Sequence, residues 1–207
     1  MKNERERIIA NSRMLFLEKG CRAVTMDDVA SANGISKRTL YEVFRDKSEL
    51  LAECIRQTHR EYEKRLSELE ETSANTIEFF LQAVDFWRST RFFMEKQFGF
   101  IMELKKYYYP VFEEVGRMIT DSNVRMVRNL VVRGREDGCI LDGYMDSDTF
   151  ADLLVGALRV SNSLLTEKRM ESSPKYDPYD MVVFTVRGIS TRKGIEIIDN
   201  YLKNRTK

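Results

Sequence analysis

Proline is nearly missing from this chain of 207 residues: Pro110, Pro174 and Pro178 are the three, and none stands before residue 110. Glycine is sparse as well, and runs of Val, Ile and Thr with a two-residue period are absent. Without them a sandwich or barrel is excluded, and an all-α fold is predicted. Histidine occurs once, as His59, and the three cysteines, Cys21, Cys54 and Cys139, are odd in number and far apart. They form neither a disulfide framework nor a Cys/His metal spacing. No glycine-rich loop cradles a nucleotide phosphate, and no nucleophile has a base near it in sequence. His59 reads as a half-exposed residue of a charged helix; Asp27–Asp28 and Glu113–Glu114 read as first-turn and surface charge. No catalysis, metal or cofactor is expected. Apolar runs fall short of the ~20 residues a membrane span needs, and "MKNERERIIANSR" lacks the apolar core of a signal peptide. A soluble, cytoplasmic protein with no membrane partner is expected.

The formal charge is only +1, so any basic surface has to be local. Residues 1–60 hold 12 Lys and Arg against 9 Asp and Glu, an asymmetry too mild to argue for nucleic acid alone. Apolar periodicity and stop signals predict helices over about 3–19, 25–33, 36–44 and 46–70, then about 74–90 and 92–106. Pro110 fits the first turn of a helix running to about 137, where Gly138 stops it. Ser147 or Asp146 caps a helix to about 169, and Asp177 with Pro178 starts one reaching about Ser190. "KGIEIIDNYL" is the last.

The stretch "VTMDDVASANGISKRTLYEVFRDKSELL" carries the chemistry. Thr25 with Asp28 three residues on is a near capping box, and Ser36 caps the next helix. Between them Asn33 and Gly34 tolerate the left-handed backbone of a tight turn. Two short helices so joined form a helix-turn-helix. At about 100° per residue, Leu40, Val43 and Phe44 face a core, while Arg38, Tyr41 and Arg45 point the opposite way. Lys37 and Thr39 occupy the first turn, where a groove-entering helix meets base edges. The helix starts at Thr25 and near Lys47 add backbone N–H groups suited to phosphate.

Residues 7–51 resemble the DNA-binding head of the TetR family of bacterial transcriptional repressors. Ile8, Ser12, Leu15, Phe16 and Gly20 fit the family's first helix, and Thr25, Val29 and Ala30 its T-x-x-x-[IV]-A motif. Gly34, Ile35, Ser36, Thr39, Leu40, Tyr41, Phe44 and Lys47 fit its G-[VI]-S-x-x-T-[LI]-Y-x-x-F-x-x-K motif. "RGISTRKGIEIID" is similar to C-terminal ends common in the family. The resemblance implies an N-terminal three-helix head, residues 1–47, and a larger helical effector-binding and dimerisation body, residues 48–207. It implies a homodimer on double-stranded, palindromic operator DNA. Thr25, Tyr41 and Lys47 would hold phosphates, and Lys37, Arg38 and Thr39 would read bases, with Ser36 and Arg45 beside them. Three residues depart from the pattern: Asn33 where Ala is common, Arg38 where a small residue or Pro is frequent, and Val43 in place of a His or Tyr that often contacts DNA.

In the body, Phe150, Leu153, Leu154, Ala157, Leu158, Ser161, Leu164 and Leu165 repeat as one apolar stripe. The stripe alone fits a core or a dimer seam equally; the resemblance favours a two-fold four-helix seam with Phe150, Leu154, Ala157, Leu158, Ser161 and Leu165, joined by Val183 and Val186. Residues 79–126 are dense in aromatic and Met side chains, each of which fits a core, but which together exceed what one core would absorb. Phe86, Trp87, Phe98, Met102, Tyr108 and Met126 are the candidate lining of an apolar effector site, with Arg88, Arg91 or Lys105 available to an anionic group. The resulting expectation is a transcriptional repressor released by a small apolar or aromatic effector. A helical protein-interaction module and a DNA-architectural protein stand as alternatives.

Overall fold

Cap chemistry sets the ends of the helices. The computed structural model describes residues 2–89, 100–143, 145–164 and 178–205, with side chains over 4–89, 100–143, 145–157 and 179–204. Helix α1 (Lys2–Lys19) ends at Gly20, whose φ of 82° turns the chain. At the start of α2 (Met26–Asn33), the Thr25 hydroxyl accepts the Asp28 N–H at 3.1 Å and the Asp28 carboxylate accepts the Thr25 N–H at 2.8 Å. Gly34 closes α2 in the left-handed region, φ 64° and ψ 31°, and its N–H and that of Ile35 return to Ser31 and Ala30 carbonyls at 3.1 Å. A side chain there would carry the strain of that φ, so the turn that sets α2 against its successor depends on glycine.

Helix α3 (Lys37–Val43) starts at Ser36, whose hydroxyl accepts the Thr39 N–H at 3.0 Å. Asp46 caps α4 (Lys47–Thr72) through the Glu49 N–H at 2.8 Å. Then follow α5 (Thr76–Ser89), a helical stretch over 100–107 that is α6, and α7 (Tyr109–Glu136). The chain closes with α8 (Ser147–Leu164), capped by Asp146, then α9 (Pro178–Gly188) and α10 (Arg192–Arg205). Among the described residues the fold is all-α, with one isolated antiparallel bridge, Ile140 to Ser190. Residues 92–99 of the helix predicted over about 92–106, residues 165–169 and Asp177 lie outside the described residues.

Packing divides the chain into two units, and the division does not fall after residue 47. The first unit takes residues up to 64 together with 100–119. Its core joins Ile8, Phe16, Val24, Leu40, Phe44 and Leu50 to Leu104, Val111 and Val115 from α6 and α7. The head is therefore completed by side chains some 60 or more residues further along, because α1 to α3 alone leave apolar surface that α4, α6 and α7 cover. Ser12, buried beside Ile8, donates to the Ile8 carbonyl at 2.6 Å. Buried Asn33 donates to the Val29 carbonyl at 2.8 Å and accepts from Asn11 at 3.0 Å. That pairing satisfies the buried amide at the position where Asn33 departs from the resembled pattern.

The second unit takes residues 65–89 and the described residues from 120 onward. In it α9 packs on α8, α5 and α10, burying Phe150, Leu154, Val182, Val183, Val186 and Ile198. Asp137 ties the start of α5 to the end of α7 by accepting the Thr76 N–H at 2.7 Å. All three thiols are free and buried; burial pushes Cys21 and Cys54 up to about 12 and Cys139 to about 11, so they stay protonated at neutral pH.

Candidate nucleic-acid interface

Helix α3 has seven residues, too few to be stable in isolation. Leu40 and Phe44, both fully buried, fasten it from below, and each such burial contributes about 1.5–3 kcal/mol. Val43 is half-buried against the same core. The opposite side stands in solvent: the side chains of Arg38 and Arg45 are 90% and 83% exposed, and Tyr41 is 45% exposed. Lys37 is exposed in the first turn, and Thr39, half-buried, shares a 2.8 Å hydroxyl contact with Ser36. The structure thus brings Ser36, Lys37, Arg38, Thr39, Tyr41 and Arg45 onto one short helix and its ends, with the long cations outermost.

Each outward cation has an anion of its own chain beside it. Lys37 meets Asp27 at 2.7 Å, Arg38 meets Glu42 at 3.1 Å, and Arg45 meets Asp46 at 3.1 Å. Hydrogen bonding to Asp27 raises the Lys37 pKa, so this ammonium is charged throughout the physiological range. Exposed pairs of this kind contribute little and exchange readily, so a phosphate or guanine edge can displace the carboxylates. Sequence reading missed these partners, although Glu42 stands four residues after Arg38, a spacing that places both on one helix face. Glu42→Gln removes a like-charged neighbour of the DNA backbone. It is expected to raise affinity for any duplex by about two- to fivefold, measurable by fluorescence anisotropy on scrambled DNA; unchanged or weaker binding would show that Glu42 does not face the duplex.

The helix starts differ from expectation in one respect. The Thr25 hydroxyl and the Asp46 carboxylate already hold the N–H groups of Asp28 and Glu49, and Asp27, Asp28 and Asp46 place negative charge at both ends. Hydrogen bonds from Thr25 keep the Asp28 carboxyl below its ordinary range, and those from Glu49 do the same for Asp46. Phosphate therefore has to be drawn by side chains more than by free helix N–H groups. Lys47 donates from its Nζ to the Arg22 carbonyl at 3.4 Å and lies 5.4 Å from the centre of the Tyr108 ring.

The other expected sites fare unevenly. Phe150, Leu154, Val183 and Val186 are buried within the protomer, in the core that α8 and α9 share. Ala157 is half-buried, the side chains of Leu158 and Ser161 are outside the described set, and Leu165 lies outside the described residues. On the same two helices the exposed large apolar side chains are Leu153, 52% exposed, and Phe184, 61% exposed. The candidate effector residues divide between the units. Phe86, Trp87 and Met126 are half-buried in the second, where Trp87 stacks on Tyr179 at 6.2 Å. Met102, exposed, and Tyr108, half-buried, belong to the first; Phe98 lies outside the described residues. Neither of two described cavities gathers them. One, of about 330 Å³, is lined by polar groups such as Glu70, Asn75, Arg133 and Asp137. The other, of about 540 Å³, holds only Met102 of the set. Arg88 is engaged with Asp85, Asp180 and Tyr201, and Arg91 is outside the described residues. His59 is more enclosed than expected, its side chain 9% exposed beside Glu63.

No helix of the described residues is long and apolar enough to cross a membrane. A capped helix pair joined by a left-handed Gly, its second helix anchored by two core residues and bare on its cationic side, defines a helix-turn-helix protein that is all-α among the described residues. Residues 8–54 match the family model of bacterial regulatory proteins, tetR family. The transposon Tn10 TetC protein of Escherichia coli is 32% identical over 56 residues, a match spanning 27% of this chain and 28% of that protein. The fold is shared with a regulator from Saccharomonospora viridis in complex with choline, at 18% identity and a TM-score of 0.71, covering 93% of this chain and all of the other. It is shared too with the SmeT–triclosan complex, at 16% identity and a TM-score of 0.69, covering 92% of this chain and 93% of the other. Residues 8–54 thus carry the head of the tetR family of bacterial regulatory proteins, and the chain as a whole shares the fold of these two solved structures.

Proposed function

We propose that this protein is a DNA-binding transcriptional repressor that acts as a homodimer on a palindromic operator and is released by a small apolar or aromatic effector. The observation that carries the DNA reading is the two-sidedness of α3: cations and Tyr41 bare on one face, Leu40 and Phe44 fully buried on the other. In this reading α3 enters the major groove, Lys37, Arg38 and Thr39 meet base edges, and Thr25, Tyr41, Arg45 and Lys47 hold the backbone. Ser36 supplies the cap that keeps the first turn of α3 formed. Residues 1–47 supply the contacts to DNA and residues 48–207 the effector and dimer functions, although packing in the head extends into α4, α6 and α7. The family is generally not enzymatic, and the cytoplasm is the compartment this function requires.

Leu153 and Phe184, exposed on α8 and α9, are the surface offered to a second copy in a four-helix seam. Dimerisation sets two copies of α3 about 34–36 Å apart, one turn of the duplex. Phe86, Trp87 and Met126 supply the apolar surface for an effector in the second unit; regulators of this fold with bound choline and triclosan support small-molecule control. An effector that binds better to a dimer with misaligned heads shifts the population away from DNA, and a coupling of about 1–3 kcal/mol changes affinity roughly 5- to 150-fold. Selection of bound sequences from random duplexes tests the reading. A palindrome whose half-sites lie about 10 base pairs apart, centre to centre, is the expected product; recovery of no enriched sequence would overturn it.

A further inference from the structure

Next to Lys47 the first unit gathers more positive charge than the three helices of the head account for. Arg22, in the turn between α1 and α2, lies with its guanidinium 4.9 Å from the centre of the Tyr107 ring and donates to the Tyr107 hydroxyl at 3.1 Å. The Lys106 ammonium is 5.2 Å from the same ring. Lys105, exposed on α6, lines with Arg22, Lys106 and Tyr107 an open groove of about 540 Å³. Lys47, held by the Arg22 carbonyl and the Tyr108 ring, continues the row toward α4, and Thr25 follows Arg22 by three residues.

Four cations thus adjoin one another in a chain whose net formal charge is +1. Among them Glu103 accepts the Arg22 N–H at 3.0 Å and lies against Gly20, where a Cβ would approach it to 2.7 Å. Glu103 thereby seats α6 on the turn; with Asp28, whose carboxylate also feels Lys47, it sets two negative charges against four positive ones, and the row stays net positive. Like charges set side by side repel unless an anion joins them. The tyrosine rings hold Arg22 and Lys47 in fixed places, which lowers the entropy lost when an anion binds. An open groove whose Arg22 is also touched by Lys47 suits an extended run of phosphates better than an enclosed small molecule.

We propose that Arg22, Lys105 and Lys106, backed by Tyr107, form a second phosphate-binding surface that takes the backbone of duplex DNA flanking the site read by α3. The inference rests on the DNA reading of α3 and extends the footprint beyond the helix-turn-helix. Its test is salt titration of the full-length protein on mixed-sequence duplexes of about 40 and about 16 base pairs, comparing wild type with Lys105→Gln/Lys106→Gln and with Lys47→Ala. Both lysines are exposed, so the double variant keeps the core intact. Each phosphate contact contributes about 0.9 to the slope of log affinity against log salt, so on the long duplex the double variant is expected to flatten it by about 1.8. That amounts to roughly tenfold less loss of affinity between about 50 and 200 mM salt. On the short duplex, which lacks the flanks, the double variant and wild type are expected to coincide. An unchanged slope on the long duplex, with Lys47→Ala flattening its own, overturns this surface and leaves the function standing. Equal flattening on both duplexes overturns the flanking assignment. Failure of the wild type to bind either duplex at low salt overturns both readings.

Discussion

Phe184→Glu is expected to leave the protein folded and monomeric, and to lower its apparent affinity for a palindromic operator by about 10²- to 10⁴-fold. On α9 the buried residues Tyr179, Val182, Val183 and Val186 occupy one face, and at about 100° per residue Phe184 lies nearly opposite their centre. It is 61% exposed, so replacing it disturbs little packing within the protomer. In a two-fold seam the same side chain enters twice, and each carboxylate would have to be desolvated against apolar surface. The monomer retains each head but loses the linked second binding event, which is where most of the affinity for two half-sites arises. Sedimentation and operator titration read both effects. A dimer that persists with undiminished affinity would place the seam on another face. Val183→Ala separates the two ideas, because Val183 is fully buried in the protomer and its truncation should lower stability before it alters assembly.

Phe44→Ala is expected to destabilise the first unit by about 3–5 kcal/mol. Phe44 is fully buried, its N–H closes α3 on the Leu40 carbonyl at 2.9 Å, and the Arg5 guanidinium lies 5.0 Å from its ring centre. Truncation leaves a void beneath α3 and removes the ring from Arg5, and only half-buried Val43 then anchors that end of so short a helix to the core. Against a typical total stability of about 5–15 kcal/mol this is a large fraction. For a chain of this length the thermal midpoint should fall by roughly 6–20 °C. Binding to operator and to scrambled duplex should fall together, since the whole helix loosens. A variant of unchanged midpoint would mean that α3 is held by contacts other than this ring.

Helix ends in the head were legible because they are set by neighbours in sequence. Thr25 with Asp28, Gly34 and Ser36 each act within four residues, and the structure places all of them as caps or stops. The two faces of α3 were legible for the same reason, as Leu40 and Phe44 lie one turn apart. What covers an apolar face is a different matter. Phe150, Leu154, Val183 and Val186 have the period of a buried stripe, and that period is the same for a core and a seam; their burial within the protomer comes from the packing of α8 on α9, which no local pattern shows. Contacts across long separations left no pattern either. Glu103 reaches the Arg22 N–H from 81 residues away, and Asn11 satisfies the buried Asn33 from across the α1–α2 contact. The aromatic and Met residues of 79–126 were legible as a group, but which of them share a wall depends on helix placement.

The central physical claim is that the bare face of α3 reads sequence while Lys47 holds the backbone. Arg38 carries the test, since its side chain is 90% exposed and its loss leaves the core untouched. Affinities of wild type, Arg38→Ala and Lys47→Ala for the selected operator and a scrambled duplex, each at several salt concentrations, form the measurement. The account predicts that Arg38→Ala loses about 1–3 kcal/mol on the operator with relaxed preference, while Lys47→Ala weakens both duplexes alike and flattens the salt slope by about one unit. An Arg38→Ala protein that still discriminates operator from scrambled DNA as the wild type does would contradict it.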